Sequence, residues 1–257
     1  PISLITFPEY TVPNMEFTSL ISYAPLVNQS IERIYDQDGD YVETVSQVKR
    51  ESENHAQISS IEDLLPDNTL DIKEYKYPSD LGDNLMSNLV QMNRISEPVE
   101  IRYFKQNSTQ EDLIAYKKTD FDLYNGLVLP HAEKVAYGNS QLEERLIYHE
   151  YDELGNITQI NKSKDFPISY LRGYSNGYVI AKLENVSYSS ILSSTITNLK
   201  ILSNLDDDNC LSGEGCDEEL LRQGLNDLRE LFPDAMISSY TYDPLIGMTS
   251  QTDPPGI

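Results

Sequence analysis

The chain has 257 residues, 39% of them hydrophobic, which is enough for one large domain or two smaller ones with a buried core. Its 42 acidic and 19 basic residues give a formal net charge of −23. A chain this acidic repels nucleic acid phosphates and anionic lipid head groups, so we expect no nucleic acid partner. The sequence has no apolar run long enough for a membrane span, and we expect none.

Tyrosine is the outlier of the composition, with 18 Tyr against 6 Phe and no Trp. Tyrosine favours pleated, half-buried surfaces and keeps its hydroxyl at the wet edge. The composition therefore predicts sheets rather than a helical bundle. Exposed tyrosines on a sheet also offer apolar faces on which sugars stack, so a carbohydrate- or partner-binding surface module is the alternative to a purely structural sheet.

Three segments share one pattern of a strand, a turn opened by Asp and closed by Gly, and a returning strand. They are residues 34–41, 148–157 and 240–249, with turn residues Asp36 and Gly39, Asp152 and Gly155, and Asp243 and Gly247. The third has one extra residue before its glycine. Asp accepts backbone N–H bonds within a turn, and Gly takes the positive φ that a tight hairpin requires. Each segment therefore predicts an antiparallel hairpin.

Further strands and three helices are predicted between these hairpins. Strand-like runs lie at residues 99–104, 113–118, 127–130, 167–170 and 178–182. Apolar residues at helical spacing lie at residues 79–92, 188–202 and 217–232. We expect Ser79-Asp80 to cap the first helix and Pro233 to end the third. Because such apolar stripes are packing faces, we expect the helices to lie against the sheet as insertions.

An acidic loop that contains both cysteines joins the second and third predicted helices. Cys210 and Cys216 suggest a small disulfide loop in an oxidising compartment, with free thiols as the alternative. On an EF-hand template, Asp206, Asp208, Glu214 and Asp217 fall at positions one, three, nine and twelve. Position six is not glycine and position twelve is Asp instead of Glu, so we favour a solvated acidic loop over a calcium site.

No pattern in the sequence predicts catalysis. His55, His131 and His149 are far apart in the sequence. No Ser or Cys lies in a nucleophile-elbow context such as Gly-x-Ser-x-Gly. We therefore expect no enzyme activity and, calcium aside, no cofactor.

The run Tyr151-Asp152-Glu153-Leu154-Gly155-Asn156-Ile157 resembles the Tyr-Asp…Gly-Asn element of YD-repeat, or RHS, proteins. Residues 240–256, and residues 168–174 with 179–185, are similar to large RHS-type surface proteins of Bacteroidota. The similarity is strong over residues 148–257 and looser over the first 147. We therefore interpret residues 1–147 as divergent hairpin repeats with one helical insertion, and residues 148–257 as a YD-repeat segment with two.

The resemblance implies antiparallel YD-repeat hairpins in a long curved sheet, which in this family forms a shell around a C-terminal toxin or is displayed at the cell surface. It implies a non-catalytic, secreted or surface-exposed segment that leaves the cell through dedicated secretion machinery, such as the type IX route. The expected partner is the remainder of a longer chain with its cargo. The chain starts without Met, and Asp253-Pro254-Pro255-Gly256 reads as a repeat turn, so we expect both ends to continue.

Overall fold

A computed structural model describes residues 26–206, 213 and 215–254. Three of the residues singled out in the sequence, Asp208, Cys210 and Glu214, lie outside this described part. The end of the last repeat, residues 255–257, also lies outside it.

The described strands form one antiparallel sheet in which each strand is hydrogen-bonded to its neighbours along the chain. The thirteen strands are β1 (Gln29–Tyr35), β2 (Tyr41–Lys49), β3 (Ser60–Leu64), β4 (Leu70–Lys76), β5 (Glu100–Gln106), β6 (Glu111–Tyr124), β7 (Leu127–Tyr137), β8 (Glu143–Tyr151), β9 (Ile157–Lys162), β10 (Pro167–Gly173), β11 (Tyr178–Glu184), β12 (Met236–Asp243) and β13 (Gly247–Thr252). The prediction of a mainly β, antiparallel fold is confirmed. Position 147, the predicted boundary between two segments, falls inside β8.

Three α-helices interrupt the sheet within the described residues, as the apolar spacing predicted. Helix α1 (Asn84–Gln91) follows β4, and helices α2 (Ser193–Leu205) and α3 (Asp217–Leu231) lie between β11 and β12. The predicted cap of α1 is wrong by one turn, because Asp83 and not Ser79-Asp80 accepts the N–H of Met86, at 2.9 Å.

The largest core lies where α2 and α3 cover the strands β10–β12. Its strand side chains and helix side chains are almost fully buried, among them Leu171, Ile180, Leu183, Ile237, Leu199, Leu221, Leu225 and Leu228. Gly173 permits the close approach of α2, because a Cβ at this position would lie 2.6 Å from the Cβ of Ser203. The C-terminal part of the sheet is thus a layered structure with helices on one face.

The N-terminal part of the sheet is far less covered. A smaller core joins α1 to the sheet through Met86, Leu89, Val99 and Val128. All seven residues of β1 are exposed, and so are the first two residues of β2. Burial therefore increases from β1, at one edge of the sheet, towards β10–β12.

Candidate functional site

The turns at Asp36 and Asp152 have the same hydrogen-bond geometry. The N–H of Asp36 donates to the carbonyl of Asp40, and that of Asp152 to the carbonyl of Asn156, each at 2.8 Å. Each aspartate Oδ1 also accepts the N–H groups two and four residues later, at 2.8 to 3.0 Å. Gly39 has a φ of 91° and Gly155 a φ of 82°. The same Asp and Gly chemistry thus builds both hairpins, β1–β2 and β8–β9.

The third turn, at Asp243, differs because of its extra residue. Its Oδ1 accepts the N–H of Leu245 at 3.0 Å, as in the other turns. The N–H that donates to the carbonyl of Asp243 belongs to Ile246, at 3.0 Å. Gly247, with a φ of 137°, begins the returning strand opposite Asp243. The insertion therefore moves the glycine from the turn into the ladder without breaking the β12–β13 hairpin.

A tyrosine precedes each of these aspartates and pairs with a residue of the returning strand. This pair is the last before the turn in the first two hairpins and the last but one in the third. The pairs are Tyr35 with Tyr41, Tyr151 with Ile157, and Tyr242 with Met248. The hydroxyl of Tyr151 donates to the carbonyl of Pro130 in β7, at 2.6 Å. The hydroxyl of Tyr242 donates to the carbonyl of Val179 in β11, at 3.2 Å. Both tyrosines therefore tie their hairpin to the preceding strand of the sheet.

The rings of Tyr151 and Tyr242 also pack on other tyrosines. The ring of Tyr151 lies 4.8 Å from that of Tyr124, and the ring of Tyr242 lies 4.7 Å from that of Tyr178. Burial, and then the neighbouring tyrosines, raise the pKa of both phenols. Since a raised pKa keeps the hydroxyl protonated, each remains a hydrogen-bond donor to the preceding strand.

A buried carboxylate joins α3 to the last hairpin. Glu218, 2% exposed, accepts the hydroxyls of Thr241 at 2.8 Å and of Thr249 at 3.0 Å, and it forms an ion pair with Arg222. Several hydrogen-bond donors and an ion-pair partner offset the desolvation cost of a buried charge. This cluster therefore fixes the helix on the sheet and lies among core residues rather than in an open cleft.

Of the four candidate calcium ligands, Asp206 and Asp217 lie within the described residues. Asp206 is buried and accepts the hydroxyl of Tyr174 at 2.5 Å. Burial, and then this carboxylate, raise the pKa of Tyr174. Asp217 is the first residue of α3. The described ranges contain no cluster of three or more His, Cys, Asp or Glu side chains placed to hold a metal ion. The preference for a solvated acidic loop over a calcium site stays a prediction.

The predicted disulfide is also only partly described. Cys216 is the N-cap residue of α3, and its side chain is 1% exposed. Its thiol is not free. Cys210, the second cysteine of the sequence, lies outside the described residues, and the pairing stays a prediction.

A Ser, a His and an Asp that are distant in the sequence come together beside the turn after β4. The Nε2 of His55 lies 2.9 Å from Asp80 Oδ2, and Ser52 donates its hydroxyl to Asp80 Oδ1 at 2.9 Å. The N–H of Gln57 donates to Nδ1 of His55 at 3.2 Å. Because both ring nitrogens are engaged, His55 has no lone pair directed at Ser52, and a nucleophilic triad requires one.

The same Asp80 holds the loop of residues 50–59 against the turn. Burial raises the pKa of Asp80, but hydrogen bonds from the N–H of Tyr77, from His55 and from Ser52 outweigh it, so the pKa lies below its usual value. The lowered pKa shows that the network stabilises the ionised carboxylate. We interpret this group as a tie between two loops.

The other two histidines lie outside the group of Ser52, His55 and Asp80. Nδ1 of His131 lies 2.9 Å from the hydroxyl of Tyr124 on the neighbouring strand, and His149 is exposed on β8. His131 is thus engaged with Tyr124 rather than with Asp80.

Several tyrosines on the sheet surface have cations of the same chain over their rings. Lys73 lies 5.1 Å from the ring centre of Tyr75 and 5.3 Å from that of Tyr103. Arg102 lies 4.9 Å from the ring centre of Tyr116. Such contacts occupy the ring faces on which a sugar would stack. They favour cross-strand packing over carbohydrate binding for these tyrosines.

The described surface includes a groove of about 490 Å³ between α1 and the strands β5–β7. Its charged groups have partners: Asp120 pairs with Lys118 and Lys134, and Asp83 caps α1. Its apolar wall comes from the same residues that form the α1 core. Unpartnered polar groups that would orient a ligand are not evident among its described residues, so the groove supports no specific ligand.

In the described part of the chain, no helix is both long and apolar enough to cross a membrane. No family model matches the chain, and no curated protein matches its sequence.

Proposed function

We propose that the chain is a non-catalytic structural segment of an extended antiparallel β-sheet, of the kind found in secreted or cell-surface RHS/YD-repeat proteins. One observation carries the proposal: the thirteen described strands form a single meander, and neither β1 nor β13 has a second neighbouring strand among the described residues. A sheet in which every strand pairs with its chain neighbours extends by adding hairpins at its edges. The wall of a shell, or a surface-displayed sheet, requires this property.

Three features of the described residues support this proposal. The Asp turn recurs with matching hydrogen bonds at Asp36 and Asp152 and in a modified form at Asp243. The tyrosine before the turn ties two of these hairpins to the preceding strand. The helices α2 and α3 cover the strands β10–β12, whereas β1 and β13 each pair with one described strand only. These are the properties of a repeated structural unit rather than of an enclosed binding site.

In this proposal the longer chain holds a C-terminal cargo or presents the sheet at the cell surface, after export through dedicated secretion machinery. The net charge of −23 keeps such a large sheet surface hydrated and discourages association between copies. A carbohydrate-binding module is less well supported, because the cations described above cover the ring faces of several surface tyrosines.

Hydrogen exchange at the β13 edge tests the proposal. Alternate amides of β13 point away from β12 and have no ladder partner among the described strands. We expect these amides to exchange at least about tenfold more slowly in the longer polypeptide than in the 257-residue chain, because a further strand pairs with them. The β13 amides that already bond to β12 are the internal control. Equal exchange of the outward amides in both proteins would contradict the proposal.

A further inference from the structure

In two of the three hairpins, the tyrosine before the Asp turn forms a hydrogen bond to the preceding strand. Tyr151 and Tyr242 each donate to a backbone carbonyl of the strand that precedes their own in the chain, and both are half-buried. Tyr35 has the same position relative to its turn and its cross-strand partner. Its side chain is 61% exposed, and among the described residues there is no strand before β1.

Two further apolar side chains of β1 are also strongly exposed. Ile31 is 54% exposed and Ile34 is 62% exposed, although they lie on opposite faces of the hairpin. Exposed, apolar edge strands with unpaired backbone groups promote unwanted pairing, so proteins usually cover or charge them. The single arginine of β1, Arg33, is already paired with Glu43 of β2. Glu32 is the other charged residue of β1, but Ile31, Ile34 and Tyr35 give this edge an exposed apolar surface that an added strand would cover.

The order of the strands in the sheet indicates which segment covers the β1 edge. Every ladder of the described sheet joins strands that are consecutive in the chain, so the missing neighbour of β1 is expected immediately before it. The 25 residues before Leu26 contain only two charged side chains, Glu9 and Glu16. Burial of such a segment against an apolar edge desolvates few charges. Its length exceeds what a strand as long as β1 and a return turn require.

We propose that the outer edge of β1 is a docking surface for one further antiparallel strand from residues 1–25 of this chain, and that Tyr35 donates its hydroxyl to a backbone carbonyl of that strand. This rests on the proposed function, since it assigns the first added strand of the extended sheet. Recognition uses the main chain of the added strand, as in other cases of β-strand addition, with the tyrosine as a fixed hydrogen-bond donor at its end.

Hydrogen exchange of the complete 257-residue chain tests this inference. The β1 amides that point away from β2 are expected to be protected. The substitution Tyr35→Phe removes only the hydroxyl, and we expect it to accelerate exchange of these amides about fivefold, the effect of one lost hydrogen bond between uncharged groups. Tyr41→Phe is the matched control, because Tyr41 lies opposite Tyr35 in the same hairpin, and it should leave the exchange unchanged.

A variant that starts at Leu26 identifies the strand. Loss of protection at the outward β1 amides, with unchanged protection in β11, is the expected result. Protection that persists without residues 1–25 would overturn the inference. So would protection that depends on protein concentration, because it would identify a second copy as the occupant. Free exchange of these amides in the complete chain would also overturn it, while the β13 measurement would still decide the proposed function independently.

Discussion

The β1–β2 and β12–β13 hairpins begin from the same local pattern and end in different surroundings. Both have a tyrosine followed by an aspartate whose Oδ1 accepts backbone N–H groups of the turn. In β12, Ile237, Ser239 and Thr241 are buried against α3, whereas every residue of β1 is exposed. The turn sequence therefore specifies the hairpin, whereas the helices that pack on the sheet determine how much the hairpin contributes to stability.

Truncation of a buried α3 side chain should lower the free energy of unfolding more than the other substitutions below. Leu225 is 1% exposed in the core between α3 and the sheet. We expect Leu225→Ala to lower the free energy of unfolding by about 2–5 kcal/mol, because it removes buried apolar contacts and leaves a cavity. Chemical denaturation followed by far-UV circular dichroism measures this change.

A matched control lies on the same helix. Leu220 is 43% exposed, so Leu220→Ala should change the free energy of unfolding by less than about 0.5 kcal/mol. Equal losses for the two variants would show that the α2–α3 layer does not hold the C-terminal hairpins in place.

The two matching Asp turns should respond differently to the same substitution. Asp152 lies in a hairpin joined on both sides to neighbouring strands, whereas Asp36 lies in the edge hairpin. We expect Asp152→Ala to cost about 1 kcal/mol, since the turn N–H groups lose their acceptor. Asp36→Ala should cost less than about 0.5 kcal/mol of global stability, because an edge hairpin opens without unfolding the core.

The same denaturation assay measures both variants. If the two substitutions have equal costs, then β1–β2 is as firmly integrated in the sheet as β8–β9. That result would remove the difference in stability between the two regions.

Much of the fold was predictable from periodicity and turn residues. The hairpin segments at Asp36, Asp152 and Asp243, and all three helices, lie where the sequence placed them. The strands β3 and β4 were missed, although Asn68, with a φ of 61°, occupies the place of the glycine in their turn. A Pro-Asp-Asn turn between Leu64 and Leu70 was the available signal. It lacks the preceding tyrosine that marks the other hairpins.

The contacts of the candidate site were less predictable, because the residues that form each contact are distant in the sequence. Nothing near Tyr151 indicates that its hydroxyl meets the carbonyl of Pro130, and nothing near Asp80 indicates His55. Such contacts depend on strand register and on loop packing, which composition does not specify. The composition predicts tyrosines on half-buried sheet surfaces, but only the structure shows that the repeat tyrosine donates its hydroxyl to the preceding strand.

A cryo-electron microscopy reconstruction of the longer polypeptide would show whether the sheet continues beyond β1 and β13. We expect density for an additional strand paired with β13, and for one paired with β1, so that residues 26–254 lie within a larger continuous sheet. A reconstruction in which these residues form a separate domain, with both edge strands facing solvent, would contradict the account.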